Sequence, residues 1–244
     1  MARSELVLLL ALSGCDLVVG ISDDPRPCDI GVFTGSGAPV VEAEAFSIDW
    51  DAQFAVMALN GTTFQYQFEG GTKTPIDLGP YTAGSFALSP EGTGLLFTVQ
   101  TEPPMLVAAA RKDDQPWRMG GRTPAGTYAG TPSADAFGPR HALVRIYPND
   151  VAIQEFVDDS GVWTPVGDPH DLPGIGAPNL TPSGLTMVYA TADGVYEATR
   201  SSRDAWFGEP VLVLPGMHRW PQLLGRCNNL YVVDAPAMVA RYDR

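Results

Sequence analysis

Chemistry needs nucleophiles, acids and bases, or metal ligands at workable spacings, and this chain offers few of them. Its histidines are His141, His170 and His218, with no H-E-x-x-H and no other paired ligand spacing, so no metal and no cofactor is expected. There is no G-x-S-x-G elbow, no P-loop and no dinucleotide fingerprint. Acidic pairs stand at Asp23-Asp24, Asp113-Asp114 and Asp158-Asp159, and the last two fall between strands, where solvated turns account for them. The run Asp158-Asp159-Ser160-Gly161 lacks the alternating oxygen ligands of a calcium loop. That leaves three cysteines, Cys15, Cys28 and Cys227, as the groups whose surroundings carry information.

Cys15 follows a short polar start with one positive charge at Arg3 and an apolar run from Leu6 to Leu12. Seven residues are far below the roughly 20 needed to span a bilayer, but they fit the apolar segment of a signal peptide. The run ends in Leu12-Ser13-Gly14-Cys15, which resembles the lipobox of bacterial lipoprotein precursors. Small residues let the peptidase approach the backbone at the cut, and the cysteine thiolate accepts the lipid. The alternative is a core helix that happens to contain a cysteine. The resemblance implies a signal peptide over 1–14, cleavage before Cys15, and a lipidated N-terminus and tether over 15–31. Attachment to a bacterial membrane, facing the periplasm, is then expected. Asp16 directly after the cysteine resembles the inner-membrane retention signal of enterobacterial lipoproteins; other lineages sort differently. The net charge of −13 argues against a nucleic-acid partner and against adsorption to anionic lipid by charge alone, so membrane contact calls for such an anchor.

The rest of the chain, 32–244, must supply the body that this anchor holds. Its 26 glycines and 22 prolines imply many tight turns and many short strands. One pattern recurs: three short apolar strands separated by turns, then a proline-containing outer strand. The clearest copies carry LTPSG (180–184), DGVYEATR (193–200) and WFGEPVLVLP (206–215); LSPEG (88–92) opens a second good copy. Weaker copies begin at Phe46, Thr131 and Pro221. With Val56, Phe97, Val144, Val188 and Val232 as second-strand centres, the spacings are 41, 47, 44 and 44. Periods in the forties with four strands each predict an all-β propeller rather than a sandwich. These motifs resemble TolB-type, WD-repeat-like propeller repeats over roughly residues 30 to 244. The third copy departs from the pattern in a longer turn (Asp135 to Arg140), the fifth in Gly225-Arg-Cys-Asn-Asn229.

Five inner motifs and five outer strands are present, but staggered. The first outer strand (near Pro39–Glu42) precedes the first inner motif, and the last repeat lacks one of its own. The N-terminal strand is therefore expected to complete the last blade and remove an open sheet edge. Five four-stranded blades are predicted, with six as the alternative. With Cys15 assigned to lipid, Cys28 and Cys227 form an even pair in an oxidising compartment. Ring closure brings them to one end of one blade, so a disulfide is expected; the alternative is two free thiols.

In a propeller, the segments leading from each outer strand to the next inner strand converge on one face around the channel. Here they gather Tyr81, Arg122, Tyr128, His170, His218, Arg219 and Trp220, with Glu42, Glu44 and Asp171. Exposed aromatics and arginines suit a binding surface; packing of Trp220 and Tyr81 at the channel rim is the plainer alternative. Three functions are weighed. The first is a monomeric, non-enzymatic binding or scaffold module that meets an envelope protein or small ligand on this face. The second is a carbohydrate-active hydrolase, which needs two or three carboxylates converging at the channel mouth. The third is a purely structural envelope protein.

Overall fold

The structure is a computed structural model, and it describes residues 27–244 except 82, 100, 113–114, 125, 135–136, 147–151, 160–161 and 225. The expected signal peptide, Cys15 and Asp16 lie outside the described residues.

Among the described residues, twenty strands form five four-stranded antiparallel sheets. Blade 1 is β2 (Ala45–Ile48), β3 (Phe54–Leu59), β4 (Thr62–Gln67) and β5 (Lys73–Pro75). Blade 2 is β6 (Ala83–Leu88), β7 (Gly94–Val99), β8 (Met105–Ala110) and β9 (Arg118–Pro124). Blade 3 is β10 (Gly126–Ala129), β11 (His141–Ile146), β12 (Ala152–Asp159) and β13 (Val162–Asp171). Blade 4 is β14 (Ile175–Leu180), β15 (Thr186–Ala190), β16 (Gly194–Thr199) and β17 (Val211–Pro215). Blade 5 joins β18 (Arg219–Leu224), β19 (Asn229–Asp234) and β20 (Met238–Asp243) to the N-terminal strand β1 (Ala38–Glu42). The chain closes its ring as the staggered motifs predict, with five blades rather than six.

Hydrogen bonds of the first turns fix the repeat register. Asp49, Ser89, Ser133 and Thr181 donate their N–H to the carbonyls of Phe54, Gly94, His141 and Thr186, which makes those four residues equivalent. Second-strand centres are then Val56, Leu96, Leu143 and Val188, with Tyr231 in blade 5. The apolar run alone points one residue further along in blades 2, 3 and 5. Fully buried second strands carry apolar side chains on both faces, so hydrophobicity does not mark their register.

Each joint between blades is stitched near the axis by a buried inner-strand side chain. Ser47 Oγ accepts from Leu88 N–H (2.8 Å), and Ser85 Oγ from Ala129 N–H (3.1 Å). Asn179 accepts from Thr131 N–H (2.6 Å) and donates to Pro221 O (2.5 Å). Gln222 accepts from Ile48 N–H (2.9 Å) and donates to Ile48 O (2.5 Å), which closes the circle. Buried backbone groups left unpaired at these seams would each cost about 1–3 kcal/mol. Ser47 and Thr131 belong to non-adjacent blades, yet their hydroxyl oxygens are 3.2 Å apart, so the axis is closed at that level.

Further out, three joints share an arginine latch. Arg111, Arg200 and Arg244 occupy one repeat position, each donating its N–H across the turn (to Thr93, Leu185 and Asn228). Each guanidinium lies over an aromatic ring that precedes an outer strand: Trp117 at 4.7 Å, Phe207 at 4.6 Å and Phe33 at 4.5 Å. Each also reaches back to the third strand of the preceding blade. Arg111 meets Gln65 (2.6 Å), Arg200 meets Glu155 (2.9 Å) and Arg244 meets Glu197 (2.6 Å). The same position holds Asp158 in blade 3 and Phe68 in blade 1, so those two joints lack the latch.

Cys28 and Cys227 are joined in a disulfide with Cα atoms 5.9 Å apart. The same segment is held to the body by Cys28 N–H donating to Thr186 Oγ1 (2.8 Å) and Phe33 N–H to Val213 O (2.8 Å).

Candidate functional site

The connection face carries the outer-to-inner connections and the hairpins between second and third strands. The turn face, opposite, carries the remaining turns and the disulfide.

Trp220 forms the centre of the connection face. It stands at the start of β18 with φ of +52°, beside a register shift in the pairing with β19, and this left-handed backbone turns its indole over the axis. The Tyr128 ring meets it edge-on at 5.2 Å. It also packs against the apolar clusters of blades 1–2 and of blades 5–1. Gly176 of blade 4 has φ of +79°, and a Cβ there would stand 2.9 Å from the indole. Trp220 thus fills the mouth of the channel and touches material from around the ring. The plainer reading of a packed rim holds for this residue.

Around it stand three separate groups. The Arg122 guanidinium lies 5.0 Å over the Tyr81 ring, which leans on Phe97 at 6.1 Å. The Tyr81 hydroxyl is buried with no partner among the described residues. His218 is buried, with Nδ1 2.6 Å from Asp234 Oδ1 and Nε2 3.1 Å from Pro215 O. Tyr242 donates to the other Asp234 oxygen (3.0 Å), so this histidine is held in a structural network. Arg219 donates to Pro236 O (3.1 Å).

His170 is not brought to the mouth. β13 runs ten residues, so His170 is still outer strand, paired with Ile153, and it stacks on Trp206 at 3.6 Å between blades 3 and 4. Glu42, Glu44 and Asp171 are exposed, with Glu42 on β1 and Asp171 at the end of β13. Among the described residues no three His, Cys, Asp or Glu side chains converge as a metal site would require.

The buried charges lie elsewhere. Glu155 contacts His141 (2.7 Å) as well as Arg200. Burial alone would raise its carboxyl, but the hydrogen bonds and charges of His141 and Arg200 outweigh it and hold the group below its usual range. Glu197 is paired with Arg244, and there burial outweighs the pairing and pushes its carboxyl up.

Two clefts open on the turn face, and they sit at the two joints without a latch. One, about 240 Å³, lies between blades 2 and 3 and is lined by Ala108, Gly120, Arg118, Arg140, Asp158 and Trp163 among others. The other, about 400 Å³, lies between blades 5 and 1, among Trp50, Asp51, Arg226, Asn229, Tyr231 and Arg241. Sequence reasoning did not find them. The available signal was the arginine after the third strand, present in three repeats and replaced in two.

No family model and no curated relative matches the chain. Solved structures do resemble it. A protein described as TolB from Agrobacterium tumefaciens aligns with a TM-score of 0.51 at 14% identity, covering 80% of this chain and 71% of that one. A functionally unknown protein from Desulfotomaculum acetoxidans gives 0.50 at 13%, over 77% and 61% of the two chains. A gluconolactonase from Xanthomonas campestris gives 0.47 at 12%, over 90% and 99%. This chain spans less than two thirds of the Desulfotomaculum protein. At such identities the likeness is one of fold alone, that of a β-propeller.

Proposed function

We propose that this protein is a lipid-anchored, non-enzymatic binding module of the bacterial envelope, and that it meets a protein partner through its connection face. The observation that carries this reading is Trp220. An indole that fills the channel mouth leaves a surface in place of a pore, and a surface suits a macromolecule better than a small substrate. Beside the plug, Arg122 over Tyr81 and the half-buried Arg219 and Tyr128 give the aromatic and arginine composition of protein interfaces. Lipid on Cys15 would hold the module at the membrane.

The test is affinity capture from membranes with the full chain, compared with Arg122→Ala and Arg219→Ala variants of unchanged melting temperature. The reading expects a discrete partner whose recovery falls about tenfold or more with the pair of substitutions. Recovery unchanged by both substitutions would remove the connection face from the account.

A further inference from the structure

The molecule is electrically two-sided, and its tether leaves from one of the two sides. Of the lysines and arginines with described side chains, only Arg122 and Arg219 lie on the connection face, with Arg145 buried beneath it; the rest lie at or near the turn face. Exposed carboxylates crowd the connection face instead: Glu42, Glu44, Glu102, Asp168, Asp171 and Asp193. The turn face carries acids too, but there they are interleaved with cations, as in the pairs Arg140–Glu91 and Arg241–Asp243. Among the described residues, carboxylates therefore outnumber cations more strongly on the connection face than on the turn face.

The chain enters this body on the turn face. Cys28 is bonded to Cys227 in the first turn of blade 5, and Arg244 holds the same segment through the Asp29 carbonyl and the Phe33 ring. Ile30 and Val32 beside it are exposed at 39% and 60%. The thirteen residues Asp16 to Cys28 extend at most ~45 Å, so an anchored body stays close to its bilayer.

We infer that the turn face rests on the lipid headgroups, and that the acidic connection face points away from the membrane. The recognising chemistry is an anionic phospholipid surface. It repels the carboxylate-rich side and tolerates the side where arginines such as Arg226, Arg241 and Arg118 stand exposed, with Ile30 and Val32 free to enter the headgroup layer. The inference rests on the lipid anchor at Cys15, and it deepens the proposed function by directing the docking face toward partners outside the membrane plane.

The experiment supplies the anchor artificially, so that the two ideas fail separately. The full chain carrying Cys15→Ser and an N-terminal hexahistidine is held on nickel-chelating vesicles of phosphatidylcholine and phosphatidylglycerol, with the 28–227 disulfide intact. A fluorophore is placed at Glu69→Cys on the turn face or at Met217→Cys on the connection face; both sites are exposed. Brominated lipids should quench the label at 69 at least twofold more than the label at 217. Equal quenching, or stronger quenching at 217, overturns the orientation. The anchor itself is read independently, from the mass of the mature N-terminus in the unaltered chain.

Discussion

Removing Arg200 should destabilise the protein strongly, and the loss should be largest at neutral pH. Arg200 is buried, with an ion pair to Glu155, a hydrogen bond to Gly184 O at 2.7 Å and its guanidinium over Phe207. Breaking a buried pair by deleting one partner costs about 3–5 kcal/mol, and the lost stacking adds about 1 kcal/mol. Against a typical stability of about 5–15 kcal/mol, Arg200→Ala leaves the fold marginal at neutral pH. Glu155 has a depressed carboxyl, so its contribution is present above the ordinary value of 4.5 and is lost as pH falls through its lower native value. In Arg200→Ala, burial acts on Glu155 with only His141 to oppose it, and protonation relieves the damage. The gap between variant and native protein should therefore be widest near pH 7 and narrow below about pH 4.5. Urea titrations at pH 4, 5.5 and 7 measure this, with Arg200→Leu/Glu155→Leu as the control that removes both charges and should recover part of the loss. A gap under 1 kcal/mol at pH 7, or one that does not change with pH, would refute the argument.

Other perturbations separate the remaining devices. Asp49 is buried and pushed up to about 6 from 3.8, so the native state prefers its protonated form and stability falls as pH rises through about 6. Asp49→Asn should accordingly gain up to about 2 kcal/mol at pH 8 and nothing at pH 4, by urea midpoint. Trp220→Gly should be more stable than Trp220→Ala by roughly 1 kcal/mol, because only glycine adopts φ of +52° without strain. Gly130→Ala should fail to fold or melt far lower, since its Cβ would fall 1.6 Å from Pro178 O at the seam of blades 3 and 4. Reduction of the 28–227 disulfide, whose partners are 199 residues apart, should cost about 5 kcal/mol on the chain-entropy account, seen as a lower thermal midpoint.

The architecture was legible because its devices are local or periodic. The Pro-x-Gly turns at 90–92 and 182–184, the spacing in the forties, and the surplus N-terminal outer strand lead to a five-bladed closed ring, and closure leads to the Cys28–Cys227 pair. What stayed hidden depends on three-dimensional register. The seams use Ser47, Ser85, Asn179 and Gln222, four unremarkable polar residues whose partners are backbone groups of the next blade, and no spacing marks them. His170 was grouped with the mouth because the length of β13 is not encoded by any stop signal; the strand runs on through Pro169 to Asp171. Trp220 was found as a rim residue, but its left-handed backbone and the Gly176 gap that admits its indole appear only in the fold. The arginine latches do leave a trace, the residue that follows DGVYEAT and its counterparts, but its repeat position is defined only by the register of the first turns.

If the connection face is the working surface, site-specific photo-cross-linking from that face captures the partner. A photoreactive phenylalanine analogue at Tyr81 or Met217 is compared in intact membranes with one at Glu69 on the turn face. A discrete protein adduct is expected from 81 and 217, weakening with Arg219→Ala, and lipid adducts alone from 69. The same protein adduct from 69, with none from 81 or 217, would contradict it.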